Sequence, residues 1–279
     1  MKIGIWDSGI GGLSVAAAVQ DVLPGVKIHY IADTAYFPYG GQSQEILVQR
    51  ALYLSHSLVS DGCQLVVVAC NTASSAALEC VRASVQVPCV GVEPAVKPAV
   101  QMSQSKHIVV LATQHTAEGP RLAALVRNHA HSARVSVLPM PGLADMVEAG
   151  QISGPVVTSM LWSQLAGPIS EGADMVVLGC THYAFLRDVL AEVLPEGVTI
   201  LDAAQPVAKR VKFLLHDAVK SDSLCVPPLM NGISKGAESY VDLKVTGEQV
   251  QVEEVLDRLS SRGAKLPRSI LFRACSRRT

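Results

Sequence analysis

The chain has 279 residues, 49% of them apolar and only 17% charged, with a formal charge of −1 at pH 7. That length carries one large or two modest domains with a substantial core, and this composition excludes a disordered chain, a basic field for nucleic acid and an acidic tail. Mean hydropathy is positive, yet no run approaches the ~18 unbroken apolar residues of a spanning helix, so no membrane association is expected.

Short β-branched runs alternate with helical patterns along the chain. The first strand is predicted at residues 3–6, and Asp7 interrupts the apolar run at once, so the start lacks the shape of a signal peptide. Further buried strands are predicted at 28–32, 65–69, 89–92, 108–111, 135–138, 175–178 and 198–201. A helix is predicted over 44–60, where Leu47, Ala51, Leu54 and Leu58 recur at helical spacing and Gly62 follows as a stop. Pro94, Pro98 and the polar stretch 101–106 predict a crossing between two sheets, with a second crossing near 203–206. After Asp217 the pattern loosens around Pro227-Pro228, Gly232 and Gly236. One more strand–helix unit follows at 240–245 and 252–261, and the basic end 273–279 is expected to fray. Aromatic residues are only 4%, so the core is aliphatic, which suits parallel strands buried on both faces. Regular βαβα alternation predicts an α/β fold with mostly parallel sheets. We expect two lobes, residues 1–96 plus 206–279 and residues 97–205.

The seven cysteines are an odd, scattered set, unlike a secreted disulfide framework, and point to a cytoplasmic protein with reduced thiols. Two of them sit in an internal echo. Leu65-Val-Val-Val-Ala-Cys70-Asn71-Thr72 resembles Met175-Val-Val-Leu-Gly-Cys180-Thr181-His182. Each is a buried strand ending in a cysteine, then polar groups, at the carboxyl edge where parallel sheets bind ligands. Free N–H groups and the helix dipole at such a turn stabilise a thiolate or an anionic ligand. Two thiols facing each other suit inversion of a stereocentre, which needs a base on one face and an acid on the other. Asp7 and His182 are the groups that would tune them. Cys63, Cys80, Cys89, Cys225 and Cys275 read as space-fillers. Neither Cys70 nor Cys180 has a CxxC partner, so no metal site is expected.

Asp7-Ser8-Gly9-Ile10-Gly11-Gly12-Leu13-Ser14 follows the first strand, and its glycines would let backbone approach a small anion. Dinucleotide binding is a rival here: Gly9-x-Gly11-x-x-Ser14 approximates the fingerprint and Asp33 ends the next strand, but the third glycine is missing. Tyr36-Phe37-Pro38-Tyr39-Gly40-Gly41 reads either as a simple turn or as a rigid loop offering N–H groups to a carboxylate. Glu93, before Pro94, reads as a helix-start feature, and Glu148 as a solvated helix face. His107, His115, His129 and His131 read as surface or loop residues.

Five strings now stand in order: Asp7–Ser14; Asp33 with Pro38-Tyr39-Gly40; Ala69-Cys70-Asn71-Thr72-Ala73-Ser74; Gly91-Val92-Glu93-Pro94-Ala95; and Gly179-Cys180-Thr181-His182-Tyr183. Together they resemble the glutamate racemases of the cofactor-independent aspartate/glutamate racemase family, from Lys2 to about Leu215. The resemblance implies two flavodoxin-like lobes with the active site in the cleft between them, no cofactor, and a homodimer. It implies interconversion of L- and D-glutamate, supplying D-glutamate for peptidoglycan, with aspartate or another acidic amino acid as the alternative substrate. Cys70 and Cys180 would be the catalytic bases, Cys180 acting on L-glutamate and Cys70 on D-glutamate. Asp7 would assist Cys70, and His182 would assist Cys180. Asp7, Ser8, Tyr39, Gly40, Asn71, Thr72, Thr116 and Thr181 match substrate-binding positions, with Asp33 and Glu148 as supporting acids. The chain departs from the family at Thr113-Gln114-His115-Thr116, where His115 replaces a glycine and would be costly if the turn required positive φ. It departs again at Asp202-Ala203-Ala204. A binding protein that kept the fold and lost turnover is the reading from a different class.

Overall fold

A computed structural model describes residues 1–131, 133–220 and 239–272, with the backbone alone for 217–220. In chain order the elements are β1 (Lys2–Asp7), α1 (Leu13–Val22), β2 (Lys27–Ala32), α2 (Gln44–Ser60), β3 (Val66–Val68), α3 (Asn71–Ser84) and β4 (Cys89–Gly91). Then come α4 (Val96–Met102), β5 (His107–Ala112), α5 (Gln114–Glu118), α6 (Pro120–His129), β6 (Arg134–Pro139), α7 (Leu143–Glu148), α8 (Pro155–Ser170), β7 (Met175–Leu178), α9 (Arg187–Val193) and β8 (Thr199–Leu201). The chain continues through α10 (Ala204–Lys220), β9 (Tyr240–Val245), α11 (Gln249–Ser261) and β10 (Ile270–Phe272).

Two sheets form, in the order β10-β9-β2-β1-β3-β4 and β6-β5-β7-β8. Every pairing among them is parallel. Helices covering both faces explain why the central strands read as unbroken apolar runs: β3, β5 and β7 are buried at every residue. The chain leaves the first sheet through α4 and returns through α10, which packs on α1. The first crossing falls where Pro94, Pro98 and the polar stretch predicted it, and α4 forms part of it. β9 pairs along its whole length with β2, and β10 forms the outer edge beside it.

Local chemistry accounts for the element ends. Ser43 accepts a hydrogen bond from the Ile46 amide and caps α2, with Glu45 in the first turn favouring the positive end of the helix. Trp6 is fully buried and donates its indole N–H to Ser55 Oγ at 3.0 Å, pinning α2 to β1. The strand ends that matter most are those of β1, β3 and β7. They release the chain at Asp7, Cys70 and Cys180 on the carboxyl edges of the two sheets.

Several expectations change. His107 lies buried on β5, its Nε2 3.0 Å from Ser136 Oγ, because β5 is an inner strand with both faces covered. Cys80 is exposed on α3, so it fills no space. Glu93 does not cap α4; it pairs with Arg121, which also donates to the Ser74 carbonyl at 3.1 Å. His115 is helical within α5, and Lys106 and Ser269 are the non-glycine residues at positive φ among the described residues, so no strain attends the missing glycine. Cys225, Cys275, the Pro227–Gly236 stretch and the basic end lie outside the described residues.

Candidate active site

Cys70 ends the β3 segment and stands at the N-cap of α3. It is buried, the Ala73 N–H donates to its sulfur, and its Sγ lies 3.7 Å from Ser8 Oγ. Burial and the nearby Asp7 charge push the Cys70 thiol far above the ordinary thiol range, outweighing the Ala73 and Ser8 hydrogen bonds. Cys70 therefore carries its proton at neutral pH.

Asp7 reaches Cys70 only through Ser8. Its Oδ1 accepts the Ser8 N–H at 2.7 Å and the Ser8 hydroxyl at 3.3 Å. Its Oδ2 accepts the Gly12 N–H at 2.6 Å, at the start of α1, and the Thr181 hydroxyl at 3.0 Å, from the second lobe. Burial raises the carboxyl above the usual carboxylate range, and the His182 charge and these donors oppose the rise.

Cys180 ends the β7 segment and leads into a six-residue 3-10 helix, Thr181–Leu186. Its Sγ lies 3.7 Å from His182 Nδ1, and His182 Nε2 lies 2.7 Å from Glu148 Oε2. Burial works against a charged imidazole here, but hydrogen bonds and charge from Cys180 and Glu148 outweigh it and lift the ring well above the ordinary histidine value. Glu148 also accepts the Ile10 N–H at 3.0 Å, and its side chain is only 15% exposed. It is thus a bonded group between the lobes, not a solvated helix face. Phe37 covers the other side of His182, ring centroids 5.4 Å apart.

Both cysteines line one cavity of about 30 Å³ together with Asp7, Ser8, Tyr39, Gly40, Asn71, Thr72, Thr181 and His182. Thr113, Phe37, Pro38 and Ala144 complete it. Asn71 and Thr72 open α3, so their side chains stand where the helix offers free N–H groups. Asn71 Oδ1 is buried with no hydrogen-bond partner, an acceptor left for a donor within the cleft. Thr116 and Asp33 do not line the cavity. Thr116 Oγ1 stands behind it, 3.1 Å from Thr113 Oγ1 and 3.4 Å from Thr72 Oγ1. Asp33 sits behind Tyr39 and accepts its hydroxyl at 2.6 Å. The Tyr39 phenol is therefore engaged, leaving its ring and the Gly40 backbone to face the cleft.

The glycines of the first loop serve contacts between lobes. A Cβ at Gly9 would stand 2.3 Å from Glu148 Oε2, and one at Gly11 would stand 2.4 Å from His182 Nδ1. The space a pyrophosphate would need over this loop is occupied by those two side chains, which removes the dinucleotide reading.

The sequence pattern of the Asp/Glu/hydantoin racemase family matches residues 13–211. The chain belongs to this family. This racemase is similar to the glutamate racemase of Pseudomonas entomophila, 40% identical over 77% of this chain and 82% of the relative. That of Pseudomonas aeruginosa is 39% identical over 76% of this chain and 81% of its own length. The solved structure of Escherichia coli glutamate racemase, in complex with L-glutamate and the activator UDP-MurNAc-Ala, superposes with a TM-score of 0.79 at 28% identity, covering 98% of each chain. The racemase is thus an isomerase with an α/β fold of two parallel sheets.

Sequence reasoning missed four groups around the racemase site. Tyr30, buried on β2, donates to the Gly9 carbonyl at 2.8 Å and supports the loop that holds Asp7. Thr113 lines the cavity ahead of Thr116. Arg50 and Thr246 both bond to Asp33. A tyrosine within a strand run and an arginine on a helix carry no local signal of this kind. The turn position of Thr113 before Gln114 was the one legible hint, since threonine there caps α5.

Proposed function

We propose that this racemase interconverts L- and D-glutamate by proton transfer between two thiols. The observation that carries the reading is the opening of Cys70 and Cys180 onto one small cavity, with opposite helpers. In the L-to-D direction the Cys180 thiolate removes the α-proton and becomes a thiol. The electron pair left on the α-carbon delocalises into the substrate carboxylate, and the Cys70 thiol delivers its proton to the opposite face and becomes a thiolate. The reverse reaction restores both sulfurs. The protonated His182 compensates negative charge on Cys180, while Cys70 keeps the proton it must deliver. N–H groups at the start of α3 and the hydroxyl of Thr72 supply donors for the substrate carboxylates and the charge that develops there, while the Ser8 and Thr181 hydroxyls are engaged by Asp7.

A cavity of about 30 Å³ has room for only a water or two, since about 10–15 Å³ of such space holds one. An amino acid therefore enters only when the lobes part, and they close on it to exclude water. We assign the product to peptidoglycan synthesis and the protein to the cytoplasm as a homodimer. The D-configured product and the bacterial relatives support the assignment to peptidoglycan.

The test is incubation with L- or D-glutamate in D₂O without added cofactor, with aspartate in parallel. Loss of optical rotation with deuterium entering the α-position of glutamate is expected, faster than with aspartate. Absence of exchange with both glutamate enantiomers would sink the reading, and ligand binding without exchange would favour a protein that lost turnover.

A further inference from the structure

The carboxylate of Asp33 is fully buried and gathers donors from three elements of the chain, one of them 213 positions away. From α2, Arg50 grips it as a fork, Nε to Oδ2 at 2.9 Å and Nη2 to Oδ1 at 2.7 Å. From the loop after β2, the Tyr39 hydroxyl donates to Oδ2 at 2.6 Å. From just beyond β9, the Thr246 hydroxyl donates to Oδ1 at 2.8 Å. The Asp33 amide itself donates to the Asp7 carbonyl at 2.9 Å. Arg50 is held in turn from outside, its guanidinium 4.1 Å from the Tyr36 ring centroid and 4.9 Å from that of Tyr53.

We infer that Arg50 and Thr246 are positioning residues that fix the Tyr39–Gly40 wall of the cleft through the buried Asp33 carboxylate. The inference rests on the racemase reading and deepens it. Tyr39 and Gly40 line the cavity, yet a Cβ on Gly40 would touch nothing within 4 Å, so this turn has open space on its outer side. Its hydrogen bond to the sheet is the one from Tyr39 to Asp33. A buried carboxylate holds a phenol in one place only if its own position is fixed, and the planar fork of Arg50 with the second bond of Thr246 does that. Lysine keeps the charge at position 50 but cannot reproduce the fork. The segment after β9 thereby reaches the substrate wall without touching substrate.

The experiment is a double-mutant cycle on the full-length chain, with KM and kcat measured in both directions. Arg50→Lys and Tyr39→Phe are each expected to raise KM about five- to tenfold with kcat within about twofold, and Thr246→Val to raise it about twofold. The Arg50→Lys/Tyr39→Phe double variant is expected to be no worse than the worse single, because one pathway is broken twice. Multiplying losses, a fall in kcat with KM unchanged, or a lowered melting temperature with both constants unchanged would overturn the inference. If Arg50→Lys does not fold, the Thr246→Val/Tyr39→Phe cycle decides by the same criteria. A wild-type chain that fails to racemise glutamate overturns the racemase reading instead. The cycle is then read on L-glutamate binding by calorimetry, where coupled losses uphold the positioning role and independent losses end it.

Discussion

The two sulfur sites arise from echoing sequence and differ in chemistry. Cys70 caps a full helix and has a hydroxyl, Ser8, as its side-chain neighbour, with the Asp7 carboxylate one step behind. Cys180 leads only a six-residue 3-10 helix and has an imidazole as its neighbour, with the Glu148 carboxylate one step behind. The intermediate group makes the difference. Burial first, and then the Asp7 charge behind a hydroxyl that stays neutral, keep the proton on the first thiol. A protonated imidazole faces the second sulfur with positive charge. Two like environments would hold both sulfurs in the same state, leaving no acid to complement the base. On the proposed two-thiol reaction, proton transfer across the cleft needs complementary sites, and one strand–turn frame supplies both by changing the side chains placed around the cysteine.

The largest test of this comparison removes the sulfurs. Cys70→Ala and Cys180→Ala are each expected to lower racemisation at least about 10³-fold by polarimetry, within the range for a lost acid or base. Near-normal activity in either variant breaks the two-base scheme. Next, His182→Gln is expected to lower kcat/KM about 10²-fold, and Ser8→Ala only about tenfold, because a charged neighbour contributes more than a neutral one. The reverse order would show that the hydroxyl side governs the barrier. Gly11→Ala is expected to displace the His182 ring, costing about 1–3 kcal/mol of stability by chemical denaturation and about tenfold in kcat/KM. The smallest effect concerns pH. His182 binds its proton more tightly in the folded chain than in the unfolded one. Its contribution to stability is therefore full below pH ~6.5, the unfolded value, and is lost as pH rises through the folded value. The melting-temperature advantage of the wild type over His182→Gln should shrink from pH 6 toward pH 9. An advantage that grows over that range would mean that the imidazole is held neutral.

Much of the fold was legible because inner parallel strands announce themselves: 65–69, 108–111 and 175–178 are apolar at nearly every position. β10 was not, since three half-exposed residues at a sheet edge make no run worth counting. His107 misled because a histidine reads as surface, while its position on an inner strand leaves it no surface to reach. At the site, the cysteines stood out through their strand-end setting and polar successors. The meaning of the glycines did not, because the side chains they approach lie more than a hundred residues away at Glu148 and His182. Asp33, Arg50 and Thr246 show the same limit, with 213 residues between the aspartate and the threonine. Periodicity reports local faces and is silent on which distant faces meet.

The close packing of Gly9 and Gly11 against Glu148 and His182 has a consequence for the chain between turnovers. The bonds from Ile10 to Glu148 and from Thr181 to Asp7 join the lobes and orient the helpers at the same time. Parting the two lobes would break these ties, yet Cys180, His182 and Glu148 would move together, and Cys70, Ser8 and Asp7 likewise, so each half would carry off a complete set of thiol and helper, like the matched parts of a clasp.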